Sequence, residues 1–369
     1  MILTYCYRLL PSRKQHRALE GLLESQRQLY NGALEERIGA YRRGVTRTFF
    51  DQAKALTEWR RSDPEAAAFP LRLQRGTLRR LDSAYKGFFR RAKLKGGKAG
   101  FPRFRGAGRW HSFNFDEFDG IRFDGRALRF KGMPSGLRVH IHRPLPSGSR
   151  IRCCVFRRGA KGWTVGFSLD FPKAPKKTED RCVGVDLGIS LFAALSDGGF
   201  IPSLRAARRA QRRLRILQRS LARKKRGSRN RRKARVNVAR CHAAISRSRS
   251  NHLHQASSRL VRDYDVIAVE SLVGLTRGTL ACDVYDASWS TFLTMLRYKA
   301  ERAGARLVVV DARYTSQDCS CCGMRVPKPL RERTHSCGNC GLCIDRDLNA
   351  ARNILHRAGV GPGLQNVAS

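Results

Sequence analysis

Acidic residues are scarce in this sequence. Its 369 residues include 29 Asp and Glu against 74 Lys and Arg, so the formal net charge is +45. A compact chain this basic repels itself unless a polyanion neutralises it. Nucleic acid is the polyanion that best fits such a charge, and a membrane surface is its rival.

Long apolar runs are missing as well. A membrane-spanning helix needs about 20 consecutive apolar residues, and no stretch of the sequence provides them. The apolar start, residues 1–10, is too short for a signal peptide and is interrupted by Arg8. We therefore predict a cytoplasmic, nucleoid-associated protein without a membrane partner.

Motifs for covalent catalysis are absent too. The sequence has no Gly-x-Ser-x-Gly motif and no evident Cys–His pair outside one cysteine cluster, so a side-chain nucleophile is not indicated. Apolar residues make up 41% of the chain, which is enough to build a core despite the charge. The length suggests two or three domains.

Periodicity and composition divide the chain. Residues 1–10 are predicted to form a strand and residues 11–95 a helical module. Residues 96–172 alternate in polarity, which indicates an antiparallel barrel or sandwich that the first strand can join. Residues 173–180 have the composition of a linker. The order of strands and helices in residues 181–369 fits an RNase H-like α/β fold, so the fold class is α/β combined with all-β.

Two cationic segments favour contact with nucleic acid. The loop 93–109 interleaves cations with Phe101 and Phe104, which either stack on bases or anchor the loop to the next domain. The arm 203–262 contains no Asp or Glu and is predicted to form two helices broken near Gly227, whereas a merely solvated helix would mix charge signs. The predicted nucleic-acid-binding residues are Lys86, Arg90, Arg91, Lys93, Arg103, Arg105, Arg212, Arg213, Arg223, Lys224, Lys225 and Arg226.

Three carboxylates occur where a carboxylate is costly to bury. Asp186 lies in an apolar strand pattern between Gly184 and Gly188, Glu270 ends a second such strand, and Asp347 comes shortly before two alanines. A buried carboxylate needs a positive partner. Carboxylates are the ligands of Mg²⁺, so the pattern predicts two Mg²⁺ ions in a catalytic site that hydrolyses phosphodiesters.

Each of these carboxylates also has a purely structural interpretation. Asp186 can lie in a turn, Glu270 can end a strand, and Asp347 can cap a helix. Asp345 competes with Asp347 for the third position.

Four cysteines in two Cys-x-x-Cys pairs predict one structural Zn²⁺, held by a ribbon spanning residues 314–344. Its ligands would be Cys319, Cys322, Cys337 and Cys340. Cys321 could replace Cys322 in this set, and His335 could compete as a ligand.

Residues 182–358 closely resemble the TnpB family of transposon-encoded RNA-guided DNA endonucleases, which are related to type V CRISPR effectors. The matching stretches in this region are Gly184–Ile189, Val269–Leu272, Ser288–Trp289, Leu296–Ala300, Tyr314–Gln317 and Asp345–Leu355. The N-terminal half matches more loosely, at Lys86–Arg91 and Phe101–Phe104.

This resemblance implies a RuvC-type nuclease domain whose acids match Asp186, Glu270 and Asp347, with an inserted zinc ribbon. It also implies an N-terminal wedge barrel interrupted by a helical recognition module. A guide RNA from the transposon end would direct cleavage of double-stranded DNA next to a short adjacent motif. We expect the protein to be monomeric on the RNA.

Two alternatives stand beside this function. A nuclease-inactive, RNA-guided DNA-binding repressor would lack one or more of the acids. In a DDE-type transposase the acids usually run Asp, Asp, Glu, whereas here they run Asp, Glu, Asp.

Overall fold

The computed structural model describes residues 2–94, 99–171, 174–271, 286–329 and 332–360. The chain forms two compact units, Met1–Pro172 and Lys173–Ser369. Among the described helices, none is long and apolar enough to cross a membrane.

An antiparallel seven-stranded sheet is the base of the first unit. Its strands are β1 (Ile2–Leu9), β2 (Ser112–Phe115), β3 (Ile121–Phe123), β4 (Ala127–Phe130), β5 (Leu137–His140), β6 (Arg150–Gly159) and β7 (Gly162–Asp170). They lie in the order β2-β6-β7-β1-β5-β4-β3, so β2 and β3 are at opposite edges. The first strand of the chain pairs with β7 and β5, so it does join the sheet that the alternation of residues 96–172 indicated.

The core of this sheet is aromatic. In β1, every second residue is buried, because successive side chains of a strand point to opposite faces. Phe113 stacks on Phe156 with ring centroids 4.8 Å apart, and Trp163 and Phe167 are fully buried beside them. Aromatic rings of this size supply much of the apolar area that a small sheet must bury.

Helices connect β1 to β2. They are α1 (Arg13–Arg42), α2 (Phe49–Ser62), α3 (Pro64–Ala67) and α4 (Leu71–Ala92). Helix α1 begins after Ser12, whose hydroxyl accepts the N–H of Gln15 while the Gln15 side chain accepts the N–H of Ser12. This reciprocal pair satisfies two N–H groups that would otherwise have no partner in the first turn.

A mixed five-stranded sheet is the base of the second unit. Its strands are β8 (Cys182–Leu187), β9 (Leu191–Leu195), β10 (Phe200–Pro202), β11 (Val266–Glu270) and β12 (Arg306–Val310), in the order β10-β9-β8-β11-β12. Strand β9 is antiparallel to β8 and β10, whereas β8, β11 and β12 run parallel.

Helices cover both faces of this second sheet. They are α6 (Arg229–Asp263), α7 (Trp289–Ala303) and α8 (Arg346–Arg357), while α5 (Ala206–Ala222) packs against α6. On one face, Leu260 of α6 and Phe292 of α7 pack in the same cluster as Val185 and Ile267. On the other face, α8 packs against β8 and β11. The break predicted in the basic arm lies between α5 and α6, where Gly227 has a φ of +84°.

Two smaller features also belong to the second unit. The short hairpin of β13 (Thr334–Ser336) and β14 (Cys343–Asp345) runs directly into α8. The segment 174–180, predicted as a linker, is held against the second unit. Its Lys177 N–H donates to the carbonyl of Gly304 at 2.9 Å, and its ammonium group lies 3.3 Å from the Asp265 carboxylate.

Candidate active site and metal centre

Two neighbouring parallel strands carry acidic side chains at their carboxyl ends. The register that aligns β8 with β11 places Asp186 and Glu270 next to each other along the sheet. Because side chains alternate along a strand, Asp186 shares its face with Gly184, and Glu270 shares its face with Ala268. Both acids therefore lie on the face that α8 covers, two residues beyond small residues that let the helix approach.

Helix α8 brings the third acid to this face. Ala350 and Ala351 are buried, Ala351 lies over Gly184, and Ile354 packs in one cluster with Ala268. Asp347 is one turn before Ala351 on the same helix. The small residues of this contact allow a short distance between helix and sheet.

Two of these acids have raised pKa values. Burial, followed by the negative charges of Glu270 and Asp347, raises the pKa of Asp186 well above its ordinary value, while Arg346 opposes the shift. Burial also raises the pKa of Glu270 to about 7. Raised pKa values show that the surrounding cations do not fully compensate these carboxylates, which is the condition that a bound divalent cation would relieve.

Asp345 and Asp347 have different partners. The Asp345 carboxylate accepts the N–H groups of Asp347 at 2.8 Å and Leu348 at 3.1 Å, so it caps the start of α8. The Asp347 carboxylate lies 3.4 Å from a guanidinium nitrogen of Arg333 and 3.4 Å from one of Arg346. Because capping occupies Asp345, Asp347 is the better candidate for the third position.

Sequence reasoning did not single out the two arginines. Arg346 lies between Asp345 and Asp347 in the sequence, so an ion pair between Arg346 and one of these carboxylates could have been predicted. Arg333 is separated from Asp347 by thirteen residues, and no local pattern indicates that it also donates to the Ser190 hydroxyl at 2.6 Å. This contact ties the ribbon to the turn that follows β8.

The four predicted cysteine ligands come together. Their sulfur atoms lie within 4.8 Å of one another, with Cys319 and Cys340 at 3.6 Å and Cys322 and Cys337 at 3.6 Å. A tetrahedral zinc ion with Zn–S bonds of about 2.3 Å needs sulfurs about 3.8 Å apart. Both the spacing and the donor chemistry therefore fit Zn²⁺.

Two equivalent turns build this centre. The Cys319 carbonyl accepts the N–H of Gly323, and the Cys337 carbonyl accepts the N–H of Gly341, both at 2.9 Å. The two glycines have φ values of +74° and +75°, in the left-handed region that favours glycine. Each Cys-x-x-Cys pair thus forms the same knuckle.

The competing ligands lie outside this sulfur cluster. Among the described residues, the four sulfurs are the group whose ligand atoms lie close enough together to hold a metal, and it contains neither Cys321 nor His335. The carboxylates of Asp186, Glu270 and Asp347, which also belong to the described part of the chain, do not form a second such group in this structure. Cys321 is exposed, while His335 is fully buried with its Nδ1 atom 2.7 Å from the ammonium nitrogen of Lys328.

The twelve cations predicted to bind nucleic acid are all exposed. Lys86 forms an ion pair with Asp82 at 2.9 Å, and the guanidinium of Arg105 lies over the Tyr30 ring. In the basic arm, Arg212, Arg213 and the cluster 223–226 lie on α5 and the turn after it. Residues 95–98 of the cationic loop are outside the described residues.

Three family models match the chain. A model described as "Probable transposase" matches residues 167–274, "Cas12f1-like, TNB domain" matches residues 289–354, and "Helix-turn-helix domain" matches residues 1–45. In the structure, residues 2–42 of the last segment are β1 followed by the single helix α1, rather than two helices joined by a turn.

Known relatives cover most of the chain. A protein of Streptomyces pristinaespiralis named "Putative RNA-guided DNA endonuclease" is 34% identical over 95% of this chain and 87% of its own. "Putative RNA-guided DNA endonuclease InsQ" of Escherichia coli (strain K12) is 26% identical over 81% of this chain and 76% of its own.

A solved structure shares the fold. The protein in the "Cryo-EM structure of the Cas12f1-sgRNA-target DNA complex" aligns with 93% of this chain and 83% of its own at a TM-score of 0.61, with 13% sequence identity. The identity to the Streptomyces protein over nearly the whole of both chains confirms the resemblance that the motifs indicated. The chain belongs to the TnpB/IS605 family.

Proposed function

We propose that this protein is an RNA-guided DNA endonuclease of an insertion-sequence transposon. The observation that carries the proposal is that the β8–β11 register puts Asp186 and Glu270 at neighbouring strand ends, on the face covered by the helix that carries Asp347. The names of two relatives in the same family support it. The mixed sheet, with helices on both faces and acids at strand ends, supports a RuvC-type RNase H-like domain.

The donor set fits a hard divalent cation. Carboxylate oxygens are the ligands that Mg²⁺ prefers. The pKa values of Asp186 and Glu270 are raised because burial disfavours their negative charge, and a bound cation would stabilise that charge. Asp186, Glu270 and Asp347 would hold two Mg²⁺ ions. When bound, a pair of such ions activates water and stabilises the leaving oxygen of a phosphodiester.

The remaining side chains orient the acids. Asp345 fixes the first turn of α8 and thereby the backbone of Asp347. Arg333 and Arg346 hold the Asp347 carboxylate in ion pairs. Arg333 is half-exposed, whereas Arg346 is largely buried, so Arg333 is the partner that can move when a cation binds.

The exposed cations would bind the nucleic acids. The arm of α5 and α6 has no acidic residue between positions 203 and 262, and only its Arg249, Arg259 and Arg262 have acidic partners elsewhere among the ion pairs of the described residues, so most of its positive charge is not balanced. We assign the guide RNA and the double-stranded DNA target to this arm and to the cationic residues 86–105. Guide pairing would select the sequence, and the protein, as a monomer on the RNA, would recognise the short adjacent motif.

A single substitution tests the catalytic assignment. Asp186→Ala should abolish cleavage of a guide-matched plasmid and leave guide RNA and target DNA affinities within about twofold, because catalysis needs the metal-binding carboxylate and binding does not. Asp180→Ala, which removes an exposed carboxylate just before β8, is the control and should cut normally.

Two outcomes would contradict the proposal. Undiminished cutting by Asp186→Ala would remove the proposed role of this residue. Binding of guide and target by the unmodified protein, without any cutting at saturating Mg²⁺, would favour the nuclease-inactive repressor.

A further inference from the structure

Two buried asparagines of α8 bind the backbone of the zinc ribbon. The Asn349 amide accepts the N–H of Ser320 at 2.9 Å and donates to the carbonyl of Asp318 at 2.8 Å. The Asn353 amide donates to the carbonyls of Thr315 at 2.8 Å and Asp318 at 2.6 Å. Asn349 is fully buried and Asn353 nearly so, which makes these hydrogen bonds costly to lose.

These backbone groups belong to the first cysteine knuckle. Asp318 and Ser320 flank Cys319, whose N–H donates to the Met324 carbonyl and whose carbonyl accepts the N–H of Gly323. A metal that binds the Cys319 thiolate therefore also restrains the neighbouring Asp318 carbonyl and Ser320 N–H, to which the asparagines are hydrogen-bonded. The exposed side of the contact adds one ion pair to Asp318, but such pairs contribute little.

The same helix carries a proposed catalytic acid. Asp347 precedes Asn349 by two residues, and Asn353 lies one turn further along. A displacement of α8 relative to the knuckle would therefore move Asp347 relative to Asp186 and Glu270. The asparagines are the buried side-chain contact that opposes such a displacement, beside the exposed contacts of Arg357 and Arg333.

We propose that Asn349 and Asn353 are positioning residues that couple the four-cysteine centre to the carboxylate site. With zinc bound, the knuckle is rigid, the two amides fix α8 to it, and Asp347 is held in place to bind a divalent cation. The coupling is reciprocal, so zinc raises the affinity of the carboxylates for Mg²⁺ and Mg²⁺ opposes zinc release. This inference rests on the function proposed above.

Asn353→Asp is the sharpest test. The substitution keeps the size of the side chain but replaces its donor with an oxygen that faces two carbonyl groups. In the full chain with its guide RNA, we expect the Mg²⁺ concentration for half-maximal cleavage to rise about tenfold. Calorimetric titration with Mg²⁺ should show the same loss of affinity. Zinc should remain at one ion per chain by elemental analysis, with guide RNA affinity within about twofold.

Three further variants complete the comparison. Asn349→Ala should shift the Mg²⁺ requirement in the same direction, and the amides of α8 should exchange hydrogen faster in both variants. His356→Ala, an exposed residue near the end of α8, is the control and should change none of these quantities. Asn353→Leu, which is uncharged and of similar size but cannot donate, separates the two roles. If Asn353 only filled space, this variant would leave the Mg²⁺ affinity unchanged, whereas loss of its hydrogen bonds should shift it as in Asn353→Asp.

The outcomes separate this inference from the proposed function. An unchanged Mg²⁺ affinity in Asn353→Asp would overturn the coupling, and so would a shift accompanied by loss of zinc, because the effect would then come from an unfolded ribbon. Asp347→Ala tests the function independently. If Asp347→Ala abolishes cutting while Asn353→Asp behaves normally, only the coupling fails; if Asp347→Ala still cuts, the proposed site fails.

Discussion

Gly184 and Ala351 determine how closely α8 approaches the second sheet. A Cβ atom on Gly184 would lie 2.0 Å from the carbonyl oxygen of Ala351 and 2.8 Å from the amide nitrogen of Leu355. Both are backbone atoms, so neither can rotate away. The helix that carries Asp347 can therefore occupy its position only because residue 184 has no side chain.

Gly184→Ala should consequently displace α8 and weaken both stability and cleavage. Overpacking of this kind costs about 1–3 kcal/mol, and the displaced helix would carry Asp347 away from Asp186. Chemical denaturation and a cleavage assay on the same preparation measure the two effects. Gly21→Ala, in an open position of α1, is the control and should be neutral or slightly stabilising. A Gly184→Ala protein of unchanged stability and activity would show that the helix contact is not tight.

The raised pKa of Glu270 predicts a pH-dependent stability for the metal-free protein. Because the pKa rises from 4.5 to about 7, the folded state binds more protons than the unfolded state between these values. Stability should therefore fall as the pH rises through this window, by at most about 3 kcal/mol from this group. Asp186 shifts in the same direction and adds to the effect.

Comparison with Glu270→Gln isolates that contribution. Without metal, the free energy of unfolding of the unmodified protein minus that of Glu270→Gln should be lower at pH 8 than at pH 5. Mg²⁺ should reduce this change with pH. Glu301→Gln removes an exposed carboxylate of α7 and should give no such pH-dependent difference. Parallel stability curves for the unmodified protein and Glu270→Gln across this pH range would contradict the assignment.

Cys337→Ser should release the metal from the four-cysteine centre. Three sulfurs and a hydroxyl bind Zn²⁺ far more weakly than four thiolates, and folding of a small ribbon depends on its metal. Elemental analysis should show zinc falling from one ion per chain to nearly none. Cys343→Ser changes an exposed cysteine outside the cluster and should retain zinc. Full zinc occupancy in Cys337→Ser would mean that the ligand set is wrong.

Neutralising the basic arm should change how nucleic-acid binding depends on salt. If Arg212, Arg213, Lys224 and Lys225 each contact a phosphate, replacing all four with Gln should reduce the slope of log affinity against log salt concentration by about 3. Filter binding of guide RNA at several salt concentrations measures this slope.

A control with equal charge change uses cations that already have acidic partners. Arg129, Arg152, Arg306 and Arg313 lie outside the arm, and each forms an ion pair with Asp or Glu. Replacing these four with Gln should leave the slope nearly unchanged. Equal slopes for the arm variant and the unmodified protein would mean that the arm is only a solvated surface.

Local sequence patterns were sufficient to predict the first sheet, the basic arm and the cysteine centre. Alternation in residues 96–172 indicated the first sheet, the basic arm was predicted as two helices broken near the glycine at position 227, and the cysteine spacing predicted four sulfurs that do come together. These features are local because strand alternation, helix breaks and knuckle turns depend on neighbours a few residues away.

Contacts between segments that are far apart in the sequence could not be predicted from local patterns. Nothing near Arg333 indicates that it pairs with Asp347, and the amide contacts of Asn349 and Asn353 depend on how α8 docks on the ribbon. Local pattern left Asp345 in competition with Asp347, the family resemblance favoured Asp347, and the start of the helix shows that Asp345 caps it.

The sequence alone thus determined the family, the basic character and the identity of the candidate metal ligands, because each is written in residue types and short spacings. The tertiary structure alone decided which side chains face one another at the carboxyl ends of β8 and β11. That arrangement depends on parallel strand register and on a glycine that admits the backbone of a helix more than 160 residues later in the chain.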